Sequence, residues 1–243
     1  MEEIAICFIT HNNFFETKYF VQNLLYKTKH KYRLHILDNC SDDERVVKYL
    51  EQVAEDTKGY FYHADDHLSH SECLNRLLGS VYQEYCTILP LGAMINENWL
   101  IDLKTQYSTL NNSGVLSIRN GSELLALSPQ LHNTLENGES ELKNVYVTQY
   151  FTVEGVLFFR KNITLTIGPF ETDNLEGFEE KEFTLRAYLN GYINHYISRQ
   201  VYYQLPITDE VLKPKISVEN EKNYKKHIDN FIKTKHKKQN VTL

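Results

Sequence analysis

Cysteine is scarce in this 243-residue chain: Cys7, Cys40, Cys73 and Cys86 stand far apart, and no Cys-x-x-Cys pair occurs. A zinc ribbon and a dithiol redox motif are thereby excluded, and the four read as reduced, mostly buried thiols. Ten glycines and five prolines, with no Gly-X-Y period, exclude a collagen-like repeat. No apolar run reaches the roughly 18 residues of a membrane span. Met1-Glu2-Glu3 leads straight into a strand-like segment rather than a basic, apolar signal peptide, so cytosol is the expected compartment. A basic excess is also missing, since 26 Lys and Arg face 32 Asp and Glu for a net charge of -6. That balance does not suit a protein that coats nucleic acid. The average conceals a split, because Lys213 to Leu243 holds nine Lys against three acids and leaves the remainder at -12.

What is present is a globular composition, 42% hydrophobic and 24% charged, on a chain long enough to bury a full core. The first hundred residues alternate short β-rich runs with segments of helical period, the pattern of a parallel sheet covered by helices. Strands are expected at Ile4 to Thr10, Arg33 to Leu37, Gly59 to His63 and Cys86 to Leu89. Helices are expected at Phe14 to Tyr26, Ser71 to Tyr85 and from the Ser41 loop to about Thr57. Phe15, Tyr19, Phe20, Val21, Leu24 and Leu25 lie near one face of the first helix. Ser41 is the expected cap of the next, with Glu44 at capping-box distance. Beyond Asn111 strand-like runs follow at Val115 to Ile118, Leu124 to Leu127, Val145 to Phe151 and Val156 to Phe159, then a helix from Phe178 to Leu189. A last strand from Ile193 to Tyr203 and a polar helix from about Glu219 to Lys238 end the pattern.

In an open α/β sheet, ligands bind beyond the carboxyl ends of the strands. The loops there are Thr10-His11-Asn12-Asn13, Asp38 to Asp43, Ala64 to Ser71 and Pro90 to Asn96. All are rich in hydrogen-bonding groups, as βα loops are whenever Asn, Asp and Ser serve as turns and caps. No Gly-x-Gly-x-x-Gly and no P-loop follows any strand, which argues against a dinucleotide or P-loop fold. No Gly-x-Ser-x-Gly elbow and no His-Glu-x-x-His occurs, and the ten His are scattered apart from His67-x-x-His70.

The order of these loops resembles the opening of family 2 glycosyltransferases of the GT-A fold. A strand ending in Thr10-His11-Asn12-Asn13 and a second ending in Asp38-Asn39-Cys40-Ser41-Asp42 are similar to that family's nucleotide-holding loops. His67 to Asn75 matches the spacing of its Asn-x-Gly-x-x-x-Ala-x-Asn, with Asn75 the one identity. Gly155 to Arg160, Gly168-Pro169-Phe170 and Glu179-Glu180 followed by Leu185-Arg186-Ala187 and Gly191-Tyr192 resemble its acceptor-side segment. The likeness covers about residues 4 to 204.

The resemblance implies an α/β GT-A fold, a mixed, mainly parallel sheet flanked by helices, over residues 1–206. Residues 1–110 form its nucleotide half, residues 111–206 its acceptor half, and 207–243 a basic helical tail. It implies that Thr10, Asn12, Asp38, Asn39, Ser41, His67 and Asn75 hold a nucleotide sugar, most often a uridine nucleotide. Glu180 would be the base that takes a proton from the acceptor hydroxyl, with Glu179 beside it orienting the acceptor. The structural alternative for that pair is a solvated first helical turn favoured by the helix dipole.

The departures matter equally. Where the family carries its Mg²⁺- or Mn²⁺-binding Asp-x-Asp stand Pro90, Leu91 and Gly92, and its late metal-binding His falls on Gln204. No metal cofactor is expected on those ligands, so the leaving diphosphate needs other positive groups. The candidates are His67, His70, Arg76, Arg119, Arg160, His195 and Arg199. The resulting expectation is a transferase acting on a glycan, lipid-linked or protein acceptor, with inversion if Glu180 is the base. The alternative is a non-catalytic relative that binds a nucleotide sugar or glycan; a transferase acting on nucleic acid lacks any base-reading motif. In the tail, Tyr224, Ile228, Phe231 and Ile232 recur at helical spacing opposite Lys. Such a helix can lie on anionic lipid or dock its apolar residues on the body, the favoured account, and its charge can pair with the acidic body or with another subunit.

Overall fold

The computed structural model describes residues 2–121, 145–150, 153–172, 175–205 and 218–240. Among them the chain alternates β1 (Ile4–Thr10), α1 (Phe14–Lys27), β2 (Tyr32–Asp38), α2 (Glu44–Thr57), β3 (Tyr60–His63), α3 (His70–Ser80) and β4 (Tyr85–Ile88). It continues through β5 (Ala93–Met94), α4 (Trp99–Thr109), β6 (Ser113–Asn120), β7 (Val145–Tyr150), β8 (Val156–Arg160) and the short α5 (Ile163–Ile167). It closes with α6 (Glu179–Leu189), β9 (Ile193–Gln204) and α7 (Val218–Asn240). The strands form one sheet in the order β3-β2-β1-β4-β8-β6-β9-β5, with β7 also on β9. β1 to β4 run parallel, whereas β8 enters antiparallel to both β4 and β6.

The alternation of β1 builds both faces. Ile4, Ile6 and Phe8 point to a core shared with Phe20, Val21 and Leu24 of α1, Val46 and Leu50 of α2, and Trp99 and Leu103 of α4. Ala5, Cys7 and Ile9 point to the opposite core with Leu74 and Leu77 of α3, Ile163 of α5 and Phe183 of α6. Each fully buried large side chain contributes roughly 1.5–3 kcal/mol, and burial on both faces explains why these strands read as continuous apolar runs. Cys7, Cys73 and Cys86 are buried free thiols, and burial pushes Cys7 and Cys73 up to about 12.

Several expectations are corrected in detail. The buried stripe of α1 is Thr17, Phe20, Val21 and Leu24, while Phe15 and Tyr19 are 72% and 57% exposed. At 100° per residue they fall on the face opposite that stripe. The cap of α2 is Asp43, which accepts from the Arg45 amide, and not Ser41, whose hydroxyl is engaged elsewhere. The capping box stands instead at Ser69 and Glu72, opening α3. That helix ends at Ser80, because Tyr85 already belongs to β4. Helix α4 is additional to the expected elements. The strand expected at 124–127 lies outside the described residues, as do Phe151, Pro206 and the segment joining β9 to α7. No helix among the described residues is long and apolar enough to cross a membrane.

Candidate active site

The strand-end loops are held by a closed set of hydrogen bonds centred on Asp38. Its side chain is wholly buried and accepts from Thr10 Oγ1 (2.9 Å), Ser41 Oγ (2.5 Å) and the Ser41 amide (3.0 Å), and it pairs with His63 Nδ1 (2.8 Å). The Asn12 amide donates to Ser41 Oγ (2.6 Å), and Asn12 Oδ1 accepts from the Asp42 and Asp43 amides (3.0 and 3.1 Å). Asn12 and Cys40 hold left-handed backbone, φ 47° and 63°. Asn tolerates that region readily, whereas Cys in it carries a Cβ clash of about 1–2 kcal/mol.

Two further asparagines copy the hydrogen-bond pattern of a backbone. Asn39 donates to the Leu68 carbonyl (3.0 Å) and accepts from the Leu68 amide (2.9 Å). Asn75 does the same to Phe170 (2.9 and 2.8 Å), tying α3 to the loop after α5. From the other side Arg186 holds this loop, donating to the carbonyls of Ile167 and Pro169 while forming a two-pronged pair with buried Glu182 (2.7 Å each). The structure therefore places Thr10, Asn12, Asp38, Asn39, Ser41 and Asn75 in the framework of the loops. Of the expected nucleotide residues, Asn39 and His67 also line the large cleft above them.

That cleft, of about 930 Å³, opens beyond the carboxyl ends of β1 and β4. One wall carries His67, Ser69 and His70 at the start of α3, the floor carries Pro90 and Leu91, and the far wall carries Glu154, Gly155, Glu179, Glu180 and Lys181. Glu180 Oε2 accepts from the Gly155 amide at 2.8 Å, and among the described residues Oε1 has no protein partner. Protein atoms crowd the carboxyl, with Glu154 and Glu179 adding like charge and Lys181 opposing them; desolvation dominates and raises its pKa to about 7. Gly155 cannot be replaced at this contact. Its φ is +91°, and an added Cβ would stand 2.7 Å from the Tyr202 hydroxyl oxygen. Glu179 is buried and accepts from the Gly177 amide at 2.8 Å; burial raises its pKa also.

The two departures at the expected metal positions meet in space. β5 pairs with the end of β9, setting Ala93 against Gln204. Gln204 Nε2 donates to the Leu91 carbonyl, and the Leu205 amide donates to the Gly92 carbonyl (2.9 Å). Pro90, Leu91, Gly92 and Gln204 present no carboxylate or imidazole there, and among the described residues no group of three His, Cys, Asp or Glu is placed to hold a metal ion. This donor set does not fit Mg²⁺ or Mn²⁺.

The structure also sorts the candidate cations. His67 and His70 line the cleft as exposed side chains, and the crowding of the His70 ring by cleft atoms favours its neutral form. Arg76 lies over the Tyr62 ring (3.7 Å) and Arg119 over Tyr196 (4.8 Å). Arg160 pairs with Glu84 (3.1 Å), His195 is buried in the sheet, and the Arg199 side chain lies outside the described part. The cleft lysine, Lys181, paired with Glu154 at 3.2 Å, was not among the sequence candidates; its place next to Glu180 was the available signal.

No protein-family model and no curated protein sequence matches the chain. Solved structures do resemble it. The S. aureus TarS 1-349 fragment shares 18% identity at a TM-score of 0.64 over 83% of this chain and 60% of that one. The same fragment in complex with UDP-GlcNAc gives 18% and 0.66 over 88% and 62%. The mannosyltransferase PcManGT from Pyrobaculum calidifontis, in complex with GDP-Man and Mn²⁺, gives 15% and 0.67 over 86% and 58%. The chain thus spans about three fifths of the length of these proteins. With a parallel first half, β8 set antiparallel between β4 and β6, and this likeness, the chain has the GT-A fold.

Proposed function

We propose that this protein is a family 2-like glycosyltransferase. It moves a sugar from a nucleotide donor, most simply a uridine diphosphate sugar, to a hydroxyl of a glycan, lipid or protein, with inversion and without a divalent metal. The observation that carries the reading is Glu180. Its carboxyl has a free oxygen, a pKa near the working pH, and a place on the cleft wall opposite the strand-end loops. The neighbouring folds belong to proteins seen with UDP-GlcNAc and GDP-Man, which supports the class of donor.

In this mechanism the acceptor oxygen attacks the anomeric carbon on the face opposite the diphosphate. Its proton passes to Glu180 Oε1, and the bond from the anomeric carbon to the diphosphate oxygen breaks with its electron pair leaving on that oxygen. Charge on the leaving group is met by hydrogen bonds from His67 and His70 and by the amino end of α3, whose dipole faces the cleft. No step passes through a metal, because the residues at Pro90 to Gly92 and Gln204 do not fit one. The loop framework around Asp38 shapes the nucleotide half, and Glu179 fixes the turn that delivers Glu180.

Calorimetry with UDP, GDP and their sugars, in the presence of Mn²⁺ and then of EDTA, tests both parts. Binding of a nucleotide that EDTA leaves intact is expected. Binding abolished by EDTA would sink the metal-free mechanism, and no binding of any nucleotide would sink the transferase reading itself.

A further inference from the structure

The C-terminal helix meets the body along one stripe. Asn220, Tyr224 and His227 recur at i, i+4 and i+7, so they share one face of α7. Asn220 Nδ2 donates to the Glu176 carbonyl (3.2 Å), and the Tyr224 ring stacks on Phe178 (centroids 4.9 Å apart, planes at 14°). His227 Nε2 lies 3.2 Å from Glu182 Oε1. These three points bracket Glu179 and Glu180, and Asn220 itself lines the cleft. The third contact continues into the buried Glu182–Arg186 pair that holds the loop after α5. The helix therefore grips the polypeptide immediately before and after the candidate base, at places where α6 has no capping side chain of its own.

We propose that α7 is a positioning element of the active site: the Asn220, Tyr224 and His227 stripe clamps the Glu176–Glu182 segment, keeps the Glu180 carboxyl desolvated against Gly155, and walls the acceptor side of the cleft. The consequence for catalysis rests on the assignment of Glu180 as base; the clamp does not. Loosening the stripe admits further water to the Glu180 carboxyl, which already lies partly exposed on the cleft wall, with Glu154, Glu179 and Lys181 the charged groups near it.

The test uses the full-length protein labelled with ¹³C at glutamate carboxyls, the Glu180 signal being assigned by its loss in Glu180→Gln. Wild type is expected to titrate near pH 7. Tyr224→Ala is expected to lower that midpoint by about one unit or more, toward the ordinary glutamate value of roughly 4.3. Tyr224→Phe, which keeps the stacked ring, is expected to restore it. Deuterium exchange should rise about tenfold or more across Glu176–Leu189 in Tyr224→Ala and stay unchanged across β1 to β3, as local rather than global loosening requires. If Tyr224→Ala fails to fold, His227→Ala and Asn220→Ala take the same titration. An unshifted Glu180 midpoint in a cooperatively folded variant overturns the clamp. None of these readouts needs a nucleotide, so failure to bind any donor would count against the transferase reading and leave the clamp standing.

Discussion

The loops at the ends of β1 to β3 and the first turn of α6 are equally polar, yet they are built on opposite plans. Around Asp38 every charge has donors: two hydroxyls, an amide and an imidazole converge on a carboxylate that is wholly buried. At Glu180 one amide meets one oxygen, two further carboxylates stand near, and the residue lines the cleft. A carboxylate surrounded by donors is held rigid, whereas one that is desolvated beside like charges holds its proton more tightly and can exchange it near neutral pH. The first plan holds the loops in place; the second leaves a carboxyl able to exchange a proton, the property the proposed base requires.

The largest test of that contrast is Glu180→Gln. Loss of the base should lower the transfer rate about 10²- to 10⁴-fold, with nucleotide affinity by calorimetry nearly unchanged. The same substitution should raise stability at pH 8. Folded Glu180 binds its proton more tightly than an unfolded glutamate, so the fold loses stability as pH rises from about 4.5 through about 7. Removing the charge should return about 2–3 kcal/mol at pH 8 and little at pH 4, read from urea unfolding at both pH values. Transfer that survives the substitution would erase the catalytic side of the comparison.

Asp38→Ala strands the donors that converge on it and should cost about 3–5 kcal/mol, as removal of one partner from a buried ionic network does. Nucleotide affinity should fall together with stability. A variant that unfolds like wild type but no longer binds nucleotide would make Asp38 a ligand contact and dissolve the distinction between frame and reactive group. Asn75→Ala removes the two bonds to Phe170 and should cost about 2 kcal/mol with nucleotide affinity intact. Cys40→Gly, which relieves a left-handed non-glycine residue, should change stability least, raising it by up to about 1 kcal/mol.

Much of the fold was legible because its signals are local. β1 begins and ends where the apolar run does, and α2 ends at Thr57 as its periodicity implies. Errors arose where contacts made in the folded structure override a local reading. Ser41 reads as a cap until Asp38 and Asn12 claim its hydroxyl. Helix α3 reads as continuing to Tyr85 until that residue enters the sheet beside Ile4 and Arg160. In the site, the sequence offered residue types and their order; that Asn39 and Asn75 also bond Leu68 and Phe170, across 29 and 95 positions, is visible only in the fold. The tail's docking was expected from its apolar spacing, and Tyr224 on Phe178 agrees with it; the Phe231 and Ile232 side chains lie outside the described part.

By itself the sequence determined the alternation of strands and helices, the acidic body with its basic tail, and the absence of acids at Pro90 to Gly92, because each depends only on which residues follow one another. Tertiary structure decided which polar groups are satisfied and which are left reactive. It brought Gln204 against Leu91 across 113 positions, buried Asp38 among its donors, and left Glu180 with one amide and a clamp from α7. Desolvation and hydrogen-bond satisfaction are properties of an enclosure, and residues remote in the chain build that enclosure.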